Sequence, residues 1–298
     1  MKKLHDMKKL TVFTPTYNRA YILPKLYESL SKEPVDLFIW LIVDDGSRDN
    51  TKDLVAEWQR DGKVEIVYYR QPNGGKMRAH NKGVELCTTA LFVCIDSDDQ
   101  IVNGAVKNIL NASKKLLEDT TLCGIIAKKF MINSPSSTSL PNLNRSTLHN
   151  LYNKGFNGET TLVFKTSVIG SFPFPEIEGE KFVTEGYVYD QIDQKYEYLI
   201  MDEFLMQCEY QEDGYTVNSN SLFMKYPKGW ALYFSQYYRL YAKTLRDKVK
   251  YMGYYISMCL LAKKSFLQII IKSPSIPFCL LSIPVGLMFS YRFNSNRS

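Results

Sequence analysis

Short apolar runs alternate with helical patterns through the first 120 residues, and no other feature of the chain narrows its fold as far. Leu10–Thr14, Leu37–Val43, Val64–Tyr69 and Leu91–Ile95 are rich in β-branched and aromatic residues and read as strands. Ile22–Ser31, Thr51–Arg60 and Met77–Cys87 fall between them and read as helices. Another helix follows, with Val102, Ala105, Val106, Ile109, Leu110, Ser113, Leu116 and Leu117 at the 3.6-residue period. Alternation at this spacing builds βαβ units and a largely parallel sheet. Parallel strands bring their carboxyl ends to one edge, where open α/β sheets bind ligands.

Four loops are expected along that edge. They are Pro15-Thr16-Tyr17-Asn18-Arg19, Asp44-Asp45-Gly46-Ser47-Arg48-Asp49, Gln71-Pro72-Asn73-Gly74-Gly75-Lys76-Met77-Arg78 and Asp96-Ser97-Asp98-Asp99. Each suits one part of a nucleotide diphosphate. Asp44 can accept the imide N–H of uracil, and a second strand-end acid can take ribose hydroxyls. Lys76 and Arg78, beside a Gly-Gly turn that opens a helix, can neutralise pyrophosphate oxygens. Asp96 and Asp98 can hold Mg2+ or Mn2+ bridging the same oxygens, because such ions prefer carboxylate plus phosphate ligation. Neither GxGxxG nor GxxxxGK[ST] occurs, which removes the usual dinucleotide and P-loop readings. Without a GxSxG elbow or a Cys–His pair, hydrolase chemistry lacks a nucleophile.

At 298 residues and 45% hydrophobic composition the chain can hold one core of about 200 residues plus an appendage, or two modest domains. Six scattered cysteines (Cys87, Cys94, Cys123, Cys208, Cys259, Cys279) form no CxxC pair and are expected as reduced, buried thiols of a cytosolic protein. Three histidines lack metal-ligand spacing, so no His-based zinc centre is expected. The basic start runs straight into the first strand, and no export by a signal peptide is expected.

Charge divides the chain. From Lys225 onward twelve Lys/Arg face one acid, Asp247, a net of +11, whereas the preceding residues carry 25 bases and 30 acids. That basic stretch interleaves Trp230, Tyr233, Phe234, Tyr237, Tyr238, Tyr251, Tyr254 and Tyr255 with Lys243, Arg246, Lys248 and Lys250. Ser273–Tyr291 follows as 19 residues without a charge. As a helix rising about 1.5 Å per residue it could just span a bilayer, but Pro274, Pro277 and Pro284 are expected to interrupt it. The expectation is a monotopic element in the interface, on an anionic membrane surface; the alternative is an internal helical cap. Nucleic acid is not an expected partner, since the region is too apolar for a solvated groove and carries no nucleic-acid motif. The domains are therefore set at 1–224 and 225–298. Within the first, Ile132–Gly158 is expected as a long polar stretch without structure, either a lid or acceptor-binding loop or plain disorder, followed by a strand at Thr161–Lys165 and a helix at Glu185–Lys195.

Taken in order, Thr14-Pro15-Thr16-Tyr17-Asn18, Val43-Asp44-Asp45-Gly46-Ser47, Asn73-Gly74-Gly75 with Asn81-Lys82-Gly83, and Ile95-Asp96-Ser97-Asp98-Asp99 resemble glycosyltransferase family 2 over roughly residues 8–130. The resemblance implies the GT-A fold: an α/β, Rossmann-like, mostly parallel sheet flanked by helices, here with a helical, basic, hydrophobic C-terminal region. It implies transfer of a sugar, with inversion, from a nucleotide-sugar (usually a UDP-sugar) to a glycan or polyprenyl-linked acceptor in bacterial surface polysaccharide synthesis. It puts Asp44 on the nucleobase with Pro15 and Tyr17 lining the pocket, and makes Asp96 and Asp98 the Asp-x-Asp pair serving ribose and metal (Mn2+ or Mg2+). Asp99 either joins them or caps the next helix.

The family's base is commonly the Asp of a Glu-Asp pair opening a helix, and here Thr184-Glu185-Gly186-Tyr187 puts Gly at that place. Glu185 is the nearest substitute, Asp190 the next and Glu159 the third. Glu185 and Asp190 can face one acceptor only if Glu185 lies just ahead of the helix. The expected location is the cytoplasmic face of the cell membrane. The competing readings are a sugar-phosphate nucleotidyltransferase and a non-catalytic nucleotide-sugar-binding scaffold.

Overall fold

The computed structural model describes residues 9–132, 139–209 and 219–295. Residues 133–138 of the expected loop, and the last three of the C-terminal region, lie outside the described residues. By its internal contacts the chain divides into two units, Met1–Phe174 with Val188–Gln211, and Pro175–Tyr187 with Glu212–Ser298.

The first unit opens with β1 (Leu10–Thr16), α1 (Leu23–Leu30), β2 (Phe38–Asp44), α2 (Thr51–Asp61), β3 (Ile66–Arg70), α3 (Lys76–Leu86) and β4 (Leu91–Cys94). It continues through β5 (Gln100–Ile101), α4 (Ala105–Glu118), β6 (Leu122–Met131), β7 (Arg145–Ser146), α5 (Leu148–Asn153), β8 (Thr160–Lys165) and α6 (Thr166–Ile169). Helix α7 (Gly186–Asp193) leads into β9 (Glu197–Cys208). The sheet runs β3-β2-β1-β4-β8-β6-β9-β5, with β7 also on β9. Pairing is parallel through β3-β2-β1-β4, as the alternation predicts, and mixed beyond: β8 is antiparallel to both neighbours, while β6 and β9 are parallel.

Register fixes where the loops emerge. Thr16 pairs with Asp44 and Asp44 with Arg70, while Phe13 pairs with Cys94, so β1, β2, β3 and β4 end along one edge. The strand order reverses between β1 and β4, and the crevice there is where such sheets bind ligands.

One face of the sheet buries Leu10, Val12, Trp40, Ile42, Leu91 and Val93 beneath α1, α2 and α4. Tyr27 stacks on Trp58 at 4.4 Å, and Trp58 lies 5.7 Å from Trp40, contacts worth about 0.5–1.5 kcal/mol per pair beyond area burial. On the other face Phe13 stacks on Phe92 at 5.2 Å, with His80 edge-on to both. Burial, with help from Lys76, pushes His80 down to about 3, so it is a neutral core residue. Gly83 has no Cβ to strike the Phe13 ring, which lets α3 lie close on β1.

Several expectations are corrected. The segment 139–158 is not structureless: β7 pairs with β9, and α5 starts on Thr147, whose hydroxyl accepts the Asn150 N–H at 3.1 Å. Asp193 accepts the Leu148 and His149 N–H groups at 3.2 and 2.7 Å. Ser, Thr and Asn read as loop by composition, yet they are also the residues that start helices. The long strands β6 and β9 were not expected; their apolar residues are mixed with Lys, Asp and Glu, which blurs the strand pattern.

The second unit carries α8 (Ser219–Lys225), α9 (Pro227–Tyr241), α10 (Leu245–Leu261), α11 (Phe266–Lys272) and α12 (Ile276–Ser295). Its core is Phe234, Tyr238, Met252, Ile256, Cys259, Ile269 and Cys279. Glu180 accepts the Lys228 and Gly229 N–H groups at 2.7 and 2.6 Å, anchoring the start of α9. The prolines do not interrupt the charge-free run. Pro274 precedes α12, Pro277 sits in its first turn where no N–H is needed, and Pro284 lies inside a continuous 20-residue helix. All six cysteines are free thiols.

Candidate active site

The four loops are stitched together by their own side chains. Asn18, at φ 53°, donates its N–H to the Ser47 hydroxyl at 2.8 Å and accepts the Arg48 N–H at 2.7 Å. Asp49 accepts the Ala20 N–H at 3.0 Å and both the N–H and hydroxyl of Thr51. Burial works against the charge on Asp49, but these bonds hold its carboxyl below the ordinary value. First and second loops thus form one rigid ledge.

Asp45 ties the second loop to the third. Its buried carboxylate accepts from Gln71 at 2.8 Å, Asn73 at 3.0 Å, the Gly74 N–H at 2.9 Å and the Gly75 N–H at 2.7 Å. Gly75, at φ 95°, adopts a backbone suited to glycine, and the Arg78 side chain lies where a Cβ on Gly74 would project. The Gly-Gly turn is therefore clamped from one side and covered from the other. It sets Lys76 as the first residue of α3.

Lys76 joins the third loop to the fourth. Its ammonium lies 2.8 and 2.9 Å from the two oxygens of Asp96. On the far side Lys129, from β6, lies 2.6 Å from Asp99. Asp99 therefore does not cap the next helix; α4 is started by Glu33, which accepts the Gly104 and Val106 N–H groups at 2.5 and 2.9 Å.

The electrostatics are those of acids crowded among a few cations. Asp96 keeps 36% of its side-chain surface exposed, although protein surrounds it on most sides. Burial opposes its charge, but Lys76, Lys129 and Arg19 together hold its carboxyl below the ordinary range. Asp98 goes the other way: burial first, then the neighbouring Asp96, push its carboxyl up against the weaker pull of Arg19 and Lys129. Lys129 is held protonated against its burial by Asp99 and Asp96.

The remaining expected residues fall as follows. Asp44 is fully buried at the end of β2; it accepts the Ser47 N–H at 2.7 Å and the Tyr68 hydroxyl at 2.5 Å, with Arg70 at 3.7 Å. Pro15 is buried beside it in β1, and Tyr17 is 44% exposed. Glu159 immediately precedes β8. Glu185 sits directly ahead of α7, which begins one residue later than expected, and belongs to the second unit; Asp190 lies within α7 and belongs to the first. A Cβ on Gly186 would lie 3.2 Å from the Tyr233 ring, so any larger residue there would press on that ring.

Sequence reasoning missed Asp45, Asn18 and Lys129. Asp45 and Asn18 stand within the motifs, but a scaffold role leaves no local periodicity to reveal it. Asn81 is similar: it exchanges two hydrogen bonds with the Phe174 backbone, each 2.9 Å, and so ties α3 to a distant segment. Two concavities, about 600 Å3 near Val64–Ile66 and about 300 Å3 beside His80 and Phe172, are lined by none of the four loops.

Known proteins share this fold. The chain is 24% identical over 228 residues to the GalNAc(5)-diNAcBac-PP-undecaprenol beta-1,3-glucosyltransferase of Campylobacter jejuni, covering 72% of this chain and 69% of that protein. Among solved structures, S. aureus TarS 1-349 in complex with UDP-GlcNAc superposes with a TM-score of 0.61 at 14% identity, over 97% of this chain and 92% of that one. The mannosyltransferase PcManGT from Pyrobaculum calidifontis, in complex with GDP-Man and Mn2+, gives 0.54 at 17% identity, over 96% and 82%. These structural likenesses bear on the fold, which is of the expected GT-A type. The family model of Glycosyl transferase family 2 matches residues 11–172, more than half of the chain, and to that family the protein belongs.

Proposed function

We propose that the protein is an inverting, metal-dependent glycosyltransferase that moves a sugar from a UDP-sugar to a hydroxyl of a glycan or lipid-linked acceptor in cell-surface polysaccharide synthesis. The observation that carries this reading is the Lys76–Asp96 pair at a rim where all four loops meet. It sets a phosphate-binding cation against a ribose- and metal-binding acid. TarS with UDP-GlcNAc supports the donor class, and the undecaprenol-linked substrate in the name of the Campylobacter relative supports the acceptor class. The basic, aromatic region 225–298 holds the protein on the cytoplasmic face of the membrane.

In this reading Asp44 receives the nucleobase N–H, with Pro15 and Tyr17 lining the pocket. Because Asp44 has no exposed surface, the Tyr68 hydroxyl has to turn away from it for the base to bind. Lys76 leaves Asp96 for the diphosphate, which frees the carboxylate for a ribose hydroxyl. Arg78 neutralises the same phosphates.

Asp96 and Asp98 fit a divalent cation. Among the described residues no three His, Cys, Asp or Glu converge, so Asp96 and Asp98 would hold the ion together with oxygens of the donor. Burial first, and then the neighbouring Asp96 charge, raise the Asp98 carboxyl, and a cation held between the two would relieve that repulsion. When bound, Mn2+ or Mg2+ offsets charge on the departing diphosphate.

The acceptor oxygen attacks the anomeric carbon from the face opposite the diphosphate, whose bond to that carbon breaks. The hydroxyl proton passes to Glu185, with Asp190 as the second choice.

The full chain incubated with a panel of nucleotide-sugars, Mn2+ and a polyprenyl-diphosphate saccharide tests this by mass spectrometry. One added sugar, with inverted anomeric configuration by NMR, is the expected product. Pyrophosphate release from UTP and a sugar phosphate would point to a nucleotidyltransferase instead, and donor binding without turnover to a scaffold.

A further inference from the structure

Helix α12 is apolar around its circumference, yet one side alone is covered. Cys279, Ser282 and Gly286 are buried against the bundle. A Cβ on Gly286 would come within 2.5 Å of Ile256 of α10, and Phe289 stacks on Tyr254 at 4.4 Å. On the opposite side Leu280, Leu281, Leu287 and Met288 are each about half exposed. Leu280 and Leu287, and likewise Leu281 and Met288, are seven residues apart, and exposed Pro284 lies three or four residues from each, so together they draw one stripe along the helix. Phe266, Leu267 and Ile271 of α11 are exposed in the same way. An apolar surface of this extent on a soluble protein marks an interaction site.

By length and composition α12 could cross a membrane, and 17% of its most apolar window is buried. Its packing argues against crossing. The covered side is fixed on α10, and α10 in turn is packed on α9 through Phe234 and Tyr254, 4.9 Å apart. A crossing α12 would carry into hydrocarbon a bundle whose α9 bears exposed Lys228 and Arg239 and rests on Glu180.

The charges around the stripe select its partner. Lys263, Lys272 and Arg292 are exposed at the ends of α10, α11 and α12, and no acid follows Asp247 in the sequence. Two copies meeting through this face would bring like charges together, whereas an anionic lipid surface complements them.

We propose that the exposed face of α11 and α12 lies flat in the surface of an anionic bilayer as an interfacial, non-spanning anchor, which rests on the membrane attachment read above. The stripe enters the acyl boundary, and the framing Lys and Arg side chains sit at headgroup depth.

The full chain mixed with phosphatidylcholine vesicles, with and without phosphatidylglycerol, provides the test. Co-sedimentation with the anionic vesicles is expected to fall as salt is added. Joint Leu280→Glu and Leu287→Glu substitution is expected to weaken it by about tenfold or more. Alkaline carbonate is expected to release the protein from cell membranes. Vesicle binding unchanged in the double variant, resistance to carbonate, or a dimer that the double variant splits would each overturn the anchor. Donor hydrolysis by the double variant in solution, at the parent rate, shows that lost binding is not misfolding. A chain that binds vesicles but transfers no sugar leaves the anchor standing and removes the enzymatic reading.

Discussion

At the scale of single residues, the site rests on acids with different tasks, although five of them lie in the same two motifs. Asp96 and Asp99 pair with Lys76 and Lys129, whereas Asp45 spends its carboxylate on the backbone of the neighbouring loop. Asp45→Ala leaves the buried Gly74 and Gly75 N–H groups without an acceptor. The expected loss is about 2–5 kcal/mol in urea denaturation, together with weakened donor binding. A loss within experimental error would mean that the loop holds itself. Under the proposed mechanism, Lys76→Met is expected to lower kcat by about a hundredfold, since it would remove the charge assigned to the departing diphosphate. An equal kcat in parent and variant would remove Lys76 from the phosphate role. The motifs themselves were legible because each follows an apolar strand. The division of labour among Asp44, Asp45, Asp96 and Asp99 was not, because it depends on which distant N–H or ammonium group arrives beside each carboxylate.

At the scale of elements, the parallel strands and their helices were read from periodicity to within a few residues. The strands of the mixed half escaped. Strand β9 pairs with β5, β6 and β7, segments far apart in sequence, so its order in the sheet is a long-range property with no local pattern. Helix α5 is hidden for the same reason: two of the three hydrogen bonds that anchor its start go to Asp193, more than forty residues downstream. Burial pushes Asp193 up to about 6 from an ordinary 3.8, against the two N–H bonds it accepts. Between those values the folded chain binds more protons than the unfolded one, so stability from this group is full below about pH 4 and is lost as the pH rises through 6. Relative to the parent, Asp193→Asn should therefore gain in melting temperature across that window. A difference between the two that stays flat from pH 4 to 7 would contradict the shift.

At the scale of the whole molecule, the basic C-terminal region is more than an appendage. Lys228 and Gly229 hold Glu180, Gln236 donates to the Tyr187 carbonyl at 2.8 Å, and Tyr233 fills the space beside Gly186. Removing residues 225–298 strands the segment that carries Glu185. The truncated chain is expected to aggregate on size exclusion and to lose transfer even to a soluble acceptor. A monodisperse, active fragment would show instead that the region serves attachment alone. The sequence by itself determined the strand–helix alternation, the four loops at one sheet edge, the family and the charge asymmetry, because local spacing and composition encode each of these. Tertiary structure alone decided that Lys76 and Lys129 meet Asp96 and Asp99, and that α12 is continuous through its prolines with one apolar side left bare. Those outcomes depend on which distant surfaces come into contact, and helix periodicity cannot say which side of a uniformly apolar helix a neighbour will cover.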